Sequence, residues 1–188
     1  MIKIGITGSL ASGKTTASKI LSSRRGPLFS ADKAVKELYQ NKQFEFLVKR
    51  RFKIKNNHQL KRSLKKLILE KKENIMKLEK IVHPLVRKKM RVFTLQNRNK
   101  KLLFYEIPLL VESKLMKYFN VIIFIKAKKK VRLKRFQSKG GDNKLFNLLN
   151  NKQISDQKKI KFCDHVVVNE KNLSILKKNL SVIINKYE

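Results

Sequence analysis

The chain has 188 residues, enough for one compact core with small additional lobes. It carries one cysteine, Cys163, which excludes an internal disulfide and favours a reducing, cytoplasmic location. No stretch approaches the ~20 apolar residues of a membrane-spanning helix, and the start lacks the pattern of a secretory signal, so we expect no membrane association. The net charge of +34 leaves two explanations open, a biased amino-acid composition or selected binding of polyanions.

The first predicted element is a short β-strand at residues 2–7, followed directly by a glycine-rich loop and a helix. The loop, GSLASGKT, matches the phosphate-binding pattern G-x-x-x-x-G-K-[ST]. Backbone N–H groups at the start of the helix point toward phosphate oxygens, and the helix dipole favours their negative charge. Lys14 is expected to reach the β- and γ-phosphates, and the Thr15 hydroxyl to hold Mg²⁺. The predicted ATP-binding residues are Gly8, Leu10, Ala11, Ser12, Gly13, Lys14, Thr15 and Thr16.

Asp32 directly follows the second predicted strand, Leu28 to Ser30. Ligands of open parallel sheets bind at the carboxyl ends of the strands, which favours a functional carboxylate here. Asp32 is either a general base that accepts a proton from an attacking hydroxyl or the N-cap of a helix at residues 33–39. Position alone leaves both interpretations open.

Residues 36–99 differ from the flanking segments because they are strongly basic and carry apolar residues at helical spacing. The pair His83-Pro84 is expected to end one helix and to begin another. A lone histidine at such a junction is either structural or part of a binding site. We therefore predict three parts: a discontinuous core domain (1–35, 100–130 and 162–188), a helical insert (36–99) and a lid (131–161).

The third predicted strand, residues 102–106, is a hydrophobic run that ends in an acid. This pattern is typical of the second signature of phosphate-loop enzymes, in which a carboxylate orients Mg²⁺ or one of its waters. The acid here is Glu106, and its long side chain favours a contact through water. Pro108 then marks the end of the strand.

The remaining elements are a strand at 119–125, a basic helix near 128–135, a helix after Gly140-Gly141, a strand at 165–168 and a closing helix at 173–187. Two helices joined by glycines suit a mobile lid. Arg132 and Arg135 either stabilise the charge of a transferred phosphate or belong to a solvated basic face. Strands that alternate with helices predict an α/β fold with a parallel sheet.

The chain carries IGITG and SGKT near its start, then Ser30-Ala31-Asp32, LEKIVHPLV at residues 78–86 and EIPLLVE at residues 106–112. Together these stretches resemble the dephospho-CoA kinase family. The opening IGITG through SGKT is similar to the start of that family, and Ser30-Ala31-Asp32 is similar to its Asp-Ala-Asp motif, with serine first. LEKIVHPLV, residues 78–86, is close to the family's Leu-Glu-x-Ile-x-His-Pro-x-Val. EIPLLVE, residues 106–112, is similar to Asp-x-Pro-Leu-Leu-Phe-Glu. Gln153, Cys163-Asp164 and Asn169 are similar to late family positions.

The resemblance implies a three-layer P-loop kinase fold and a phosphotransferase with an alcohol group as acceptor. The expected reaction moves the γ-phosphate of ATP to the ribose 3′-hydroxyl of dephospho-CoA, with Mg²⁺. The resemblance strengthens the assignment of Asp32 as the base and shifts His83 toward the acceptor lobe. The implied catalytic residues are Asp32, Lys14, Arg132 and Arg135, and the implied acceptor contacts are Asp32, Arg62, His83, Pro108, Leu109 and Leu110.

Two other functions remain open on the residues alone. One is a P-loop kinase whose acceptor is a nucleoside or nucleotide. The other is a basic P-loop protein that binds nucleic acid, although the chain contains no Trp and no basic patch interleaved with aromatic residues. The expected partners are ATP and dephospho-CoA, without specific nucleic acid or membrane, and the chain is expected to be a monomer.

Overall fold

The computed structural model describes residues 1–54, 60–71 and 73–188, with the side chains at 61, 65, 69 and 70 excepted. The chain forms two compact units, one of residues 1–30 and 96–188 and the other of residues 31–95. Residues 55–59 and 72 of the predicted insert lie outside the described residues. The three-part division with a lid at 131–161 stays a prediction.

The elements of the described residues follow one another as strand–helix units with a helical stretch between β2 and β3. Their bounds in chain order are β1 (Ile2–Gly8), α1 (Lys14–Ser22), β2 (Leu28–Ser30), α2 (Ala31–Leu38), α3 (Lys42–Phe52), α4 (Leu60–Glu70), α5 (Glu73–Gln96), β3 (Leu102–Glu106), β4 (Val121–Lys126), α6 (Lys129–Gln137), α7 (Asn143–Asn151), α8 (Asp156–Ile160), β5 (His165–Val168) and α9 (Leu173–Ile184). None of the helices in the described ranges is both long enough and apolar enough to cross a bilayer.

The first unit is built on a five-stranded sheet with the order β2-β3-β1-β4-β5. Every strand pair is parallel, which confirms the α/β prediction. β1 lies in the middle, so the loop that follows it leaves the sheet at its centre. Its central position also explains its apolar sequence, since a strand with neighbours on both sides and helices above it is fully buried.

Alternate residues of the strands pack under α1 and α9, which contact each other on one face of the sheet. Fully buried members of this core include Ile4, Ile6 and Ile123. At the far edge, β5 leaves Val166 and Val168 exposed at 40% and 49%. The predicted bounds of β2, β3 and β5 agree with the structure, because each is a short apolar run between clear breaks.

The second unit contains α2 to α5 and has its own apolar core. Its fully or nearly buried members are Leu38, Phe44, Val48, Leu60 and Leu64. The side chain of Asn41 caps α3 by accepting a hydrogen bond from the N–H of Phe44 at 3.1 Å.

The prediction that His83-Pro84 separates two helices is wrong, because α5 runs without interruption from Glu73 to Gln96 with Pro84 inside it. Proline removes one backbone hydrogen bond and costs about 3 kcal/mol in a helix interior. Apolar side chains on both sides of the proline pack on the same core, and burying several of them outweighs that cost. Those side chains are Leu78, Ile81, Val82, Leu85 and Val86.

Candidate nucleotide-binding site

The loop after β1 adopts a conformation that requires glycine at two positions. Gly8 and Gly13 have φ angles of +154° and +95°. A Cβ atom on Gly8 would lie 2.4 Å from the carbonyl oxygen of Ile125, and one on Gly13 would lie 2.2 Å from Nδ2 of Asn169. The glycines of the motif therefore serve both backbone conformation and close packing.

Lys14 begins α1 and turns back over the loop. Its ammonium donates hydrogen bonds to the carbonyl oxygens of Gly8 at 3.0 Å and Ser9 at 2.8 Å. The first N–H groups of any helix have no partner inside it, so the start of α1 offers donors beside this ammonium. The arrangement brings together a positive charge and backbone donors, which suits phosphate binding.

Thr15 and Glu106 come together from segments 91 residues apart. The Thr15 hydroxyl donates to Oε1 of Glu106 at 2.5 Å, and Glu106 is only 3% exposed at the end of β3. Two adjacent hard oxygen ligands fit the preference of Mg²⁺, which takes few protein ligands and completes its shell with phosphate and water. Among the described residues there is no group of three or more His, Cys, Asp or Glu side chains that could hold a metal. A contact through water stays a prediction.

Arg132 and Arg135 donate hydrogen bonds to carbonyl oxygens of the glycine loop. Nη1 of Arg132 lies 3.3 Å from the oxygen of Leu10, and Nη1 of Arg135 lies 3.3 Å from that of Ser12. Arg132 is 6% exposed, and burial lowers the pKa of its guanidinium, partly offset by the charge of Asp156. Their contact with a transferred phosphate stays a prediction, while the observed bonds support the loop.

Two amide side chains also hold the loop. Nδ2 of Asn169 donates to the oxygen of Ser12 at 2.9 Å, and Oε1 of Gln153 accepts from the N–H of Leu10 at 3.2 Å. Sequence similarity singled out both amides but suggested no role for either. Both amides contact the backbone of the loop from more than 140 residues away in the chain. Such contacts cannot be predicted from the pattern of a single sequence.

Asp156 was missed altogether. Asp156 lies in the first turn of α8, and its carboxylate accepts a hydrogen bond from the Ser9 hydroxyl. Asp156 and Ser9 line a cavity of about 420 Å³ beside the loop, together with Arg132, Asn150 and Gln153. The position of Asp156 between Ser155 and Gln157 gave no signal, because such polar runs are typical of surface turns.

The turn after β3 holds three residues that were predicted to contact the acceptor. The buried hydroxyl of Thr7 donates to the carbonyl oxygen of Pro108 at 3.1 Å, which ties this turn to β1. Leu110 is fully buried, and a Cβ on Gly5 would lie 2.8 Å from it, whereas Leu109 is partly exposed. Contacts of these residues with the acceptor stay predictions.

The other predicted acceptor residues belong to the second unit. Asp32 is exposed in the first turn of α2, which begins at Ala31, so the alternative that Asp32 precedes the helix as its N-cap is wrong. A carboxylate in that turn is favoured by the helix dipole and leaves its oxygens accessible. Arg62 is exposed on α4, and His83 is partly buried within α5. The roles of all three stay predictions.

Comparison with known proteins gives consistent results. Residues 2–174 match the model of a family described as dephospho-CoA kinase. A dephospho-CoA kinase of Bartonella quintana is 34% identical over 175 residues, covering 90% of each chain. A solved structure of a Thermus thermophilus protein has a TM-score of 0.84 at 28% identity, covering 100% of this chain and 98% of that one. A dephospho-CoA kinase from Campylobacter jejuni has a TM-score of 0.68 at 27% identity, covering 98% and 96%.

Proposed function

The chain belongs to the dephospho-CoA kinase family, and we propose how its own residues carry out the ATP-dependent phosphorylation of dephospho-CoA. The acceptor group is the ribose 3′-hydroxyl, and the product is coenzyme A. The observation that carries the proposal is the contact between Thr15 and Glu106 beside the glycine loop, because it pairs the two signatures of a phosphate-loop kinase.

The glycine loop binds the phosphates of ATP through its backbone N–H groups and the start of α1. Lys14 leaves its present carbonyl partners and donates to the β- and γ-phosphates. This exchange is favourable, because a hydrogen bond from an ammonium group to a phosphate is stronger than one to a carbonyl oxygen. Arg132 and Arg135 hold the loop from its carbonyl side and add positive charge beside it, and a contact with the transferred phosphate is part of the proposal.

Thr15 and Glu106 would hold Mg²⁺, which supplies neutralisation of the phosphate charge when it is bound. Thr15 contributes its hydroxyl oxygen and Glu106 a carboxylate oxygen, either directly or through a water. The buried position of Glu106 fixes its carboxylate, so it orients the Thr15 hydroxyl even before nucleotide binds.

Asp32 acts as the general base of the transfer. Its carboxylate accepts the proton of the 3′-hydroxyl while the oxygen of that hydroxyl forms a bond to the γ-phosphorus and the bond to ADP breaks. Its exposure in the first turn of α2 supports this role, since a base must reach its substrate. Arg62, His83 and the turn Pro108-Leu109-Leu110 bind the acceptor in this scheme.

The proposal includes a monomeric, cytoplasmic enzyme that uses ATP and dephospho-CoA without specific nucleic acid or membrane partners. One cysteine in 188 residues agrees with a reducing compartment. The charge of +34 would attract the phosphates of both substrates and produce weak nonspecific binding of polyanions.

The deciding experiment is a phosphotransfer assay with ATP, Mg²⁺ and dephospho-CoA, in which the 3′-phosphorylated product is followed by mass spectrometry. A panel of nucleosides and nucleotides at equal concentration is the matched set of competing acceptors. We expect coenzyme A as the product and at least about 10²-fold lower kcat/KM for the panel, as a site with several polar acceptor contacts discriminates. Equal or better turnover of a panel member would contradict the proposed acceptor.

A titration with DNA and RNA at several salt concentrations tests the nucleic-acid alternative. If nucleic acid binds only because of the net charge, its binding should be weak and steeply salt-dependent and should vanish near physiological salt. At low salt, ATP should leave this binding unchanged. Tight binding that survives physiological salt and is independent of ATP would contradict a purely metabolic function.

A further inference from the structure

Lys159 has an environment unlike that of its neighbours in the sequence. Its side chain is fully buried, whereas Lys158 and Lys161 are exposed. Burying an ammonium group costs several kcal/mol unless it is paired and hydrogen-bonded. A lysine placed this way therefore depends on specific partners.

Two partners surround the ammonium of Lys159. Its Nζ lies 2.6 Å from Oε1 of Glu112 and donates to Oε1 of Gln153 at 3.4 Å. Within the described part of the chain, the carboxylate oxygens of Glu112 are buried and make no well-directed hydrogen bond. The charge of Lys159 is therefore the principal stabilisation of this carboxylate, and the two side chains depend on each other.

The chemistry of an ammonium group fixes the orientation of the neighbouring amide. Lys159 can only donate hydrogen bonds, so Gln153 must present its oxygen rather than its NH₂ group. The same oxygen accepts the N–H of Leu10 in the glycine loop. If the amide were reversed, its NH₂ group would face two donors, and the N–H of Leu10 would lose its acceptor.

The peptide groups of Leu10 are thus held from both sides. Gln153 accepts its N–H, and Arg132 donates to its oxygen. The next residue, Ala11, has a φ of +58°, which is unfavourable for a residue with a side chain and persists only where the surroundings hold it. The loop conformation therefore depends on the contacts of Leu10.

We propose that Lys159 is a positioning residue for nucleotide binding. Its buried ammonium, neutralised by Glu112, locks the amide of Gln153 so that Leu10 is held in the conformation that receives phosphate. Lys159 acts through Gln153 and touches no substrate. The inference rests on the proposed function, since it assumes that this loop binds ATP.

The first test compares Lys159→Met with the matched control Lys158→Met, which removes an exposed charge from the same helix. We expect the Kd for ATP, measured by calorimetry, to rise about tenfold in Lys159→Met, the order of one lost hydrogen bond. The KM for ATP should rise equally and the KM for dephospho-CoA should stay within about twofold, because only the donor loop is disturbed. Lys159→Arg should restore most of the affinity, since it keeps a buried donor charge.

A double-mutant cycle identifies the route of the effect. In the Gln153→Ala background there is no amide to orient, so Lys159→Met should raise the Kd for ATP by a further factor of less than about two. An equal increase in both backgrounds would overturn the role assigned to Gln153.

A third variant keeps the test valid if Lys159→Met does not fold. The double change Glu112→Leu with Lys159→Met removes the ion pair without leaving an unpaired charge, and such replacements are often neutral or stabilising. We expect this variant to fold and to bind ATP about tenfold more weakly. A folded variant with wild-type ATP affinity would overturn the inference while leaving the kinase intact. Failure of the wild-type protein to bind ATP would instead contradict the proposed function.

Discussion

The two compact units differ in where their candidate functional side chains lie. In the first unit, three charged side chains are buried beside the nucleotide loop: Arg132 donates to the oxygen of Leu10, Glu106 accepts from Thr15, and Lys159 contacts the loop only through Gln153. In the second unit the buried cluster is apolar, and Asp32 and Arg62 are exposed. Buried polar side chains thus support the nucleotide loop of the first unit, whereas the candidate base Asp32 and the candidate acceptor residue Arg62 lie on the surface of the second unit.

The two kinds of site respond differently to substitution. A buried polar network fixes geometry in advance, and losing one member leaves its partners unsatisfied. Exposed carboxylates and guanidinium groups can be changed with little cost in stability, so a loss of activity there reports on chemistry. Substitutions at the two kinds of site therefore separate effects on catalysis from effects on stability.

Lys14→Ala should have the largest effect on turnover. It removes the ammonium expected to bind the β- and γ-phosphates, and the loss of one such electrostatic contact lowers kcat by about 10²- to 10³-fold. Steady-state phosphotransfer at saturating ATP measures it, with Lys19→Ala, an exposed change in the same helix, as the control. Activity within about tenfold of wild type would contradict the assignment of the loop.

Asp32→Asn should lower kcat by about 10²-fold or more while the Kd for ATP stays near its wild-type value, because only the base is lost. The exposed position in the first turn of α2 predicts a loss of less than about 1 kcal/mol in the free energy of unfolding. Glu37→Gln changes another exposed acid of α2 and should leave kcat unaltered. Near-normal turnover of Asp32→Asn would remove Asp32 from the role of base.

Leu64→Ala tests the apolar core of the second unit. Leu64 is 2% exposed, and a cavity at such a site lowers the free energy of unfolding by about 2–5 kcal/mol. We expect urea denaturation to show this loss, the KM for dephospho-CoA to rise and the Kd for ATP to stay constant. Leu47→Ala, at a residue that is 46% exposed, is the control. A changed Kd for ATP would show that the two units are energetically coupled in nucleotide binding.

The ion pair between Glu37 and Lys89 should have the smallest effect. A hydrogen bond from Lys89, 2.6 Å away, lowers the pKa of Glu37 below its ordinary value. The ion pair therefore stabilises the fold at pH values above the pKa of Glu37 in the unfolded chain, about 4.3. This stabilisation is lost as the pH falls through the lowered pKa of Glu37 in the folded protein. Because both groups are exposed, Glu37→Gln should cost less than about 1 kcal/mol at pH 7. Urea denaturation at pH 7 and pH 3.5 measures the loss in free energy of unfolding caused by Glu37→Gln. A loss that grows on acidification would contradict the stabilising role of this ion pair.

Much of the fold could be predicted because the strands are short, apolar and clearly bounded. The glycine loop was recognisable since its residues are contiguous, and Glu106 since it ends a hydrophobic strand. Lys159 could not be recognised, because a buried lysine within a lysine-rich stretch has the same sequence pattern as its exposed neighbours. Pro84 misled because local propensity favours a break, while packing on both sides of the proline favours one continuous helix.

The exposed edge of the sheet has a consequence for how the protein behaves in bulk solution. Within the described residues, β5 pairs with β4 alone and leaves its other edge without a strand partner, and its Val166 and Val168 are exposed. Copies of a chain use this kind of surface to associate. A net charge of +34 keeps copies apart while the Debye length is long, about 30 Å at 0.01 M salt against about 8 Å at 0.15 M. We therefore expect colloidal stability to fall as salt rises, so that this basic protein concentrates best in dilute-salt buffers.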